Sequence, residues 1–197
     1  MKKENTLYSI REAAINAGKA VITTAEIANI LGKPKRVGAV YAARMVRKGL
    51  AKRIMKGKFS LLEDDFAIAS QLIAPSYISL DSALLFHEII RQVPRQIECV
   101  TTINTIRLES YGIIYHKIPG SLVYGYRKVE RGSSYAFFAE PEKAVVDGIY
   151  LGFYSKDALR SVIEKIDAHK LLGYAKRYKG YGSGKLLKVV ESSMQKR

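Results

Sequence analysis

Gly32-Lys33-Pro34-Lys35-Arg36-Val37-Gly38-Ala39-Val40-Tyr41-Ala42-Ala43-Arg44-Met45-Val46-Arg47-Lys48-Gly49 is the stretch on which the reading of the first third of the chain turns. Pro34 suits the first turn of a helix, where its missing N–H would have no intrahelical partner, and Gly49 punctuates the end. At a period of 3.6 residues the segment sorts into two unlike faces. Gly38, Ala42, Met45 and Val46 make a small apolar face that can pack on another helix. Arg36, Val37, Val40, Tyr41, Arg44, Arg47 and Lys48 make a basic face, with an aromatic and two β-branched residues, suited to phosphates and base edges.

Upstream, Leu7, Ile10, Ala14 and Ala17 fall on one helical face, and Gly18 is a stop. Val21-Ile22-Thr23 is a short β-branched bridge, and Thr23 followed by Glu26 has capping-box spacing. A second helix is therefore expected from near Thr24, burying Ile27, Ile30 and Leu31 and ending at Gly32. Downstream, Leu50-Ala51-Lys52-Arg53-Ile54 and Phe59-Ser60-Leu61-Leu62 flank Met55-Lys56-Gly57-Lys58 and read as a β-hairpin. Three helices followed by a basic-tipped hairpin is the order of a winged helix-turn-helix, over residues 1–62, and the short Gly32–Lys35 link fits its tight turn.

Charge points the same way. The chain has 197 residues, 48% hydrophobic and 26% charged, with a net charge of +15. Residues 1–62 carry 14 basic and 3 acidic side chains, residues 63–155 carry 8 and 11, and residues 156–197 carry 11 and 4. A basic head on a slightly acidic middle suits a nucleic-acid-binding module joined to something else. The single cysteine, Cys99, excludes an internal disulfide and a cysteine zinc site. No apolar run reaches the roughly 18 residues of a membrane span. Met1-Lys2-Lys3-Glu4-Asn5-Thr6 has no apolar stretch behind it, so no leader and no membrane partner are expected, and a cytoplasmic location is.

Residues 63–197 read as a mixed α/β domain, making the whole chain α+β. Asp64 or Asp65 caps a helix through Ala67, Ile68 and Leu72 that Pro75 ends. Strands are expected at residues 77–80, 97–101, 113–118, 122–126 and 135–139, with a helix from Asp81 to about Ile90 and another opened by Glu140-Pro141-Glu142-Lys143. From about residue 155 the tail is helical and basic: Ser155 caps Leu159, Val162, Ile163 and Ile166, then come Leu171, Leu172 and Ala175, and last Leu186, Leu187 and Val190.

If the third helix lies in a major groove, Arg36, Tyr41 and Arg44 reach base edges with Val40 beside them, and Arg can grip guanine through two hydrogen bonds. Lys33 and Lys35 at the start of the helix and Lys56 and Lys58 at the wing tip meet phosphates, and Arg47 and Lys48 belong to the same DNA-binding face. Double-stranded RNA fits less well, because its major groove is deep and narrow. The case for an enzyme is thin. His87, His116 and His169 have no metal-ligand spacing, and Cys99 sits in an apolar strand. Gly180-Tyr181-Gly182-Ser183-Gly184-Lys185 fails as a phosphate loop, since Lys179 replaces the first glycine and Leu186 follows the lysine. Glu140 and Glu142 favour their helix N-terminus, and Asp147 pairs with Lys143 at i, i+4. No metal or cofactor is expected.

Certain runs resemble a known family. They are Lys56-Gly57-Lys58-Phe59-Ser60-Leu61, then Pro75-Ser76-Tyr77-Ile78-Ser79-Leu80-Asp81-Ser82-Ala83-Leu84, then Ile97-Glu98-Cys99-Val100-Thr101-Thr102 with Arg107 downstream, and Phe138-Ala139-Glu140-Pro141-Glu142-Lys143-Ala144-Val145-Val146-Asp147. Over about residues 20–175 the chain resembles the AbiEi family of type IV antitoxins, also described as transcriptional regulators of viral defence systems. Phe59 stands where the family's wing usually has tyrosine. The resemblance implies a repressor that binds inverted repeats in its own promoter. It also implies a C-terminal domain, residues 63–197, that counters a nucleotidyltransferase toxin encoded next door without a stable complex. Arg107, Glu142 and Asp147 are candidates for the toxin-countering surface, or else internal salt-bridge partners. The alternatives are a stand-alone regulator that senses a ligand or protein, and an RNA-binding protein using the basic tail.

Overall fold

The computed structural model describes residues 2–194 of the chain. The side chains of residues 2–5 and of Lys156 are not among those described, and Met1 and the last three residues of the basic tail lie outside the described residues. The protein is mixed α+β and divides into two compact units: residues 1–74 with 129–136, and residues 75–128 with 137–197.

The first unit begins with α1 (Lys2–Asn16), β1 (Val21–Thr23), α2 (Thr24–Leu31), α3 (Lys35–Arg47), β2 (Lys52–Met55) and β3 (Lys58–Ser60). The three strands form an antiparallel sheet in the order β1-β3-β2. Its core joins Leu7, Ile10 and Ala14 of α1 to Ile22, Ile27, Ala42, Met45, Phe59 and Leu61. Thr23 and Glu26 make the expected capping box, with reciprocal bonds of 3.1 and 2.8 Å. Ala17, Ile30 and Val46, expected on inward faces, are exposed. Ala17 lies beyond the end of α1, in the turn closed by Gly18.

This unit reaches beyond the expected boundary at residue 62. It takes in α4 (Asp65–Leu72), capped by Asp64 through a 2.9 Å bond from the Ala67 N–H. Gln71 of α4 is the reason. Its amide oxygen accepts from Ala20 N–H at 2.8 Å, and the two N–H groups of its Nε2 are shared among Gly18 O, Ser134 Oγ and Tyr135 O at 3.0–3.2 Å. An Arg131–Asp64 ion pair at 2.9 Å adds to these ties within the unit.

The second unit runs β4 (Ser76–Ile78), α5 (Leu80–Phe86), β5 (Ile97–Thr101), β6 (Ile106–Leu108), β7 (Ile113–Lys117), β8 (Tyr126–Arg131), β9 (Ser134–Ala139), α6 (Pro141–Leu151), α7 (Lys156–Ile163), α8 (Ala168–Arg177) and α9 (Ser183–Met194). The tip of the β8–β9 hairpin groups with the first unit. The sheet is mixed, in the order β6-β7-β5-β4-β9-β8. Helix α6 is buried along residues 142–148 and packs with α5, α8 and α9.

Two expectations fail here. Residues 122–126 are not a strand. Leu122 ends a single 3-10 turn, and Gly125 at φ +68° breaks the alternation before β8 begins at Tyr126. Helix α5 stops at Phe86 rather than near Ile90, because Glu88 adopts φ +60° while the His87 ring is held at 2.9 Å by the Ala139 carbonyl.

Candidate nucleic-acid interface

The third helix is positioned by its glycine. A Cβ at Gly38 would stand 2.1 Å from the Thr24 carbonyl, so only glycine lets α3 cross α2 this closely. The crossing buries Gly38, Ala42 and Met45. It leaves Lys35, Arg36, Val40 and Arg47 on the exposed side. The turn between the helices is set by Gly32 at φ +60°, whose N–H caps α2, and by Pro34 at the N-cap of α3. Lys33, between them, is exposed.

Tyr41 and Arg44 are half-buried. The Tyr41 ring packs against the core, and the Arg44 guanidinium lies 5.2 Å from its centroid, within cation–π range. Arg44 is thus held along the helix surface by an anchored ring, not extended on a loose stem. Helix α3 contains no acidic residue, and Arg44 and Arg47 lie in its last turn, where the helix dipole favours cations. Lys48, the C-cap, is exposed.

In the hairpin, Lys56 is exposed at the turn beside Gly57, which adopts φ +74°. Lys58 departs from expectation. Its ammonium donates to the carbonyl of Leu72, the last residue of α4, where the helix dipole is negative. Lys52 and Arg53 of β2, which the sequence reading did not single out, are exposed on the same hairpin. Another arginine is consumed internally: Arg11 donates to the carbonyls of Leu50 and Leu61 at 3.2 and 3.1 Å.

The three residues suggested for a toxin-countering surface are not together on one. Arg107 is exposed on β6. Glu142 is 5% exposed and Asp147 is 0% exposed, so neither is a surface residue. Asp147 forms a fully buried ion pair with Lys143, one turn away. Its other oxygen accepts from Ser79 Oγ at 2.7 Å and from Tyr77 Oη at 3.1 Å. The Lys143 ammonium also sits 4.9 Å from the centroid of the Tyr124 ring. Burial pushes the Asp147 carboxyl up and the Lys143 ammonium down, against their mutual attraction. The signal was in the sequence: two opposite charges at i, i+4 flank the apolar run Ala144-Val145-Val146. Glu142 instead accepts the Asp167 N–H at 3.1 Å and pairs with Lys170 at 3.5 Å.

Burial raises the Cys99 thiol far above its ordinary range, removing it as a nucleophile. Among the described residues no three His, Cys, Asp or Glu side chains cluster as a metal site would require. No described helix is long and apolar enough to cross a membrane.

No family model matches the chain, and no curated protein matches it. The RV2827C protein from Mycobacterium tuberculosis, a solved structure, aligns over 98% of this chain and 82% of its own length, with 12% identity and a TM-score of 0.46.

Proposed function

We propose that the first unit is a winged helix-turn-helix that binds double-stranded DNA, with α2 and α3 as the helix-turn-helix and the β2–β3 hairpin as the wing. The observation that carries this reading is the outward face of α3. Lys35, Arg36, Val40 and Arg47 are exposed, Arg44 is held by Tyr41, and the helix has no acidic residue to neutralise them. A rigid cationic helix face of this kind matches a major groove, and its repulsion is relieved by a polyanion. Lys33, Lys35, Arg47, Lys48 and Lys56 serve as phosphate contacts, and Arg36, Tyr41 and Arg44, with Val40, as the groove-facing set.

The resemblance to AbiEi-type antitoxins extends the proposal. The protein represses its own promoter and, through its second unit, counters a nucleotidyltransferase toxin without forming a stable complex with it. The buried state of Glu142 and Asp147 removes them from that role and leaves Arg107 alone of the three on the surface.

Fluorescence anisotropy on the DNA upstream of the coding sequence, against a scrambled duplex at several salt concentrations, tests the DNA reading. Tighter binding to the upstream duplex, with log affinity falling steeply with log salt, is expected. Equal affinity for both duplexes removes sequence recognition from the function. A neighbouring reading frame with no nucleotidyltransferase removes the antitoxin half.

A further inference from the structure

The basic tail is left over from the duplex-binding reading, and much of its charge is already occupied. Lys165 donates to the Ile89 carbonyl at 3.0 Å. Lys170 pairs with Glu140 at 3.1 Å as well as with Glu142. The Arg177 guanidinium lies 4.5 Å from the centroid of Tyr124. Lys176, Lys179, Lys185 and Lys188 are different: they are exposed and make no hydrogen bond or ion pair among the described residues.

Along the chain these four lysines flank Tyr181, which is 98% exposed. Tyr181 sits in the Gly180-Tyr181-Gly182 loop between α8 and α9, and the loop is fastened from beneath. Tyr178, 2% exposed, donates its hydroxyl to the Tyr181 carbonyl at 2.7 Å. Its ring meets Tyr150 edge-on at 5.7 Å. The Ser183 N–H closes the loop on the Gly180 carbonyl at 3.1 Å. A Cβ at Gly180 would stand 2.4 Å from the Tyr178 hydroxyl, and Gly182 adopts φ +82°, so the glycines are required by the fastening. One tyrosine is buried in order to hold the backbone of another in solvent. Beyond the loop, Lys185 and Lys188 line an open groove with Gly184 and Val189.

We propose that this loop and the adjoining turns of α9 bind single-stranded nucleic acid. Tyr181 stacks a base, and Lys179, Lys185 and Lys188 take successive phosphates, with Lys176 on the α8 side. An uncovered aromatic ring on a fastened backbone, among cations, is the arrangement that receives an unpaired strand. A duplex offers it little, because base faces there are covered by their neighbours and sequence is read from groove edges. The site is independent of α3.

The test uses the full chain and fluorescein-labelled oligouridine and oligodeoxythymidine of about 12 nucleotides. Salt-dependent binding is expected, with Tyr181→Ala weakening it about 10-fold or more and Tyr181→Trp retaining it. Lys185→Ala and Lys188→Ala lower the slope of log affinity against log salt by about 0.7 each. Because the Tyr181 ring touches solvent only, Tyr181→Ala keeps the wild-type melting temperature. Arg36→Ala/Arg44→Ala leaves oligonucleotide binding intact, which separates this site from the duplex site. A preference for uridine or for deoxythymidine assigns RNA or DNA as the source of the strand. Three results overturn the proposal: no binding to either oligonucleotide, Tyr181→Ala binding as wild type, or a duplex competing as well as a single strand in the Arg36→Ala/Arg44→Ala background.

Discussion

Helices α3 and α6 carry charge on opposite terms. Helix α3 keeps Lys35, Arg36 and Arg47 in solvent with no acid on the helix, whereas α6 withdraws Lys143 and Asp147 fully from solvent and pairs them. The α3 charges cost little to fold, since water solvates them, and they stay available to a partner. The α6 charges were desolvated on folding, and they are tolerable only because Asp147 has three donors around it. A charged helical residue therefore has no fixed meaning. Its partner decides whether it faces outward chemistry or holds the fold.

The comparison is broken most sharply by removing one member of the buried pair. Asp147→Ala leaves the Lys143 ammonium buried without a counter-ion, and about 3–5 kcal/mol of stability should be lost. Urea denaturation measures this. The double substitution Lys143→Met/Asp147→Ala should recover much of the loss, because no isolated charge remains. A single substitution that costs less than 1 kcal/mol would show that water reaches the pair. DNA affinity of the folded fraction should not change.

Within the first unit the contrast recurs on a smaller scale, between two wing lysines. Lys58→Met removes the bond to the Leu72 carbonyl and should lower stability by about 1 kcal/mol with no change in the salt dependence of DNA binding. Lys56→Ala should do the reverse, leaving the melting temperature unchanged and reducing the salt slope by about 0.9. If Lys58→Met flattens the slope as much, its ammonium leaves Leu72 for phosphate.

The smallest effect concerns the capping carboxylate. Burial pushes Glu26 up, but hydrogen bonds from Lys19 and from Thr23 outweigh it and hold the carboxyl below its ordinary value. A depressed folded pKa contributes stability above the ordinary carboxylate range, and that stability is lost as pH falls through the folded value. The group is partly exposed, so less than about 1 kcal/mol is at stake. Melting temperatures between pH 7 and 3 should fall further for wild type than for Glu26→Gln, which keeps a capping side chain without the charge. Parallel curves would remove the charge from the cap.

What could be read from the sequence was local. The Thr23–Glu26 box, the Gly32 and Gly49 stops and, Val46 apart, the two faces of residues 35–47 each depend on neighbours within a turn or two, and the order of elements through Ser60 follows from them. What could not be read depends on distant partners. Residues 122–126 alternate like a strand, but Gly125 packs against Lys143, whose side chain would lie 3.1 Å from a Cβ there. Lys58 looks like a wing-tip phosphate contact until α4 brings the Leu72 carbonyl to it. Asp147 pairs with Lys143 as its spacing required, yet its burial comes from Ser79 and Tyr77, far away in the chain.

The account stands on the outward face of α3. The direct test is the affinity of Arg36→Ala/Arg44→Ala for the upstream duplex, measured beside its melting temperature. Each arginine should contribute roughly 1–3 kcal/mol to specific binding. The double variant should therefore lose about 30-fold or more in affinity while melting within a few degrees of wild type. Wild-type affinity in a folded double variant would contradict the account, and α3 would no longer be the surface that reads DNA.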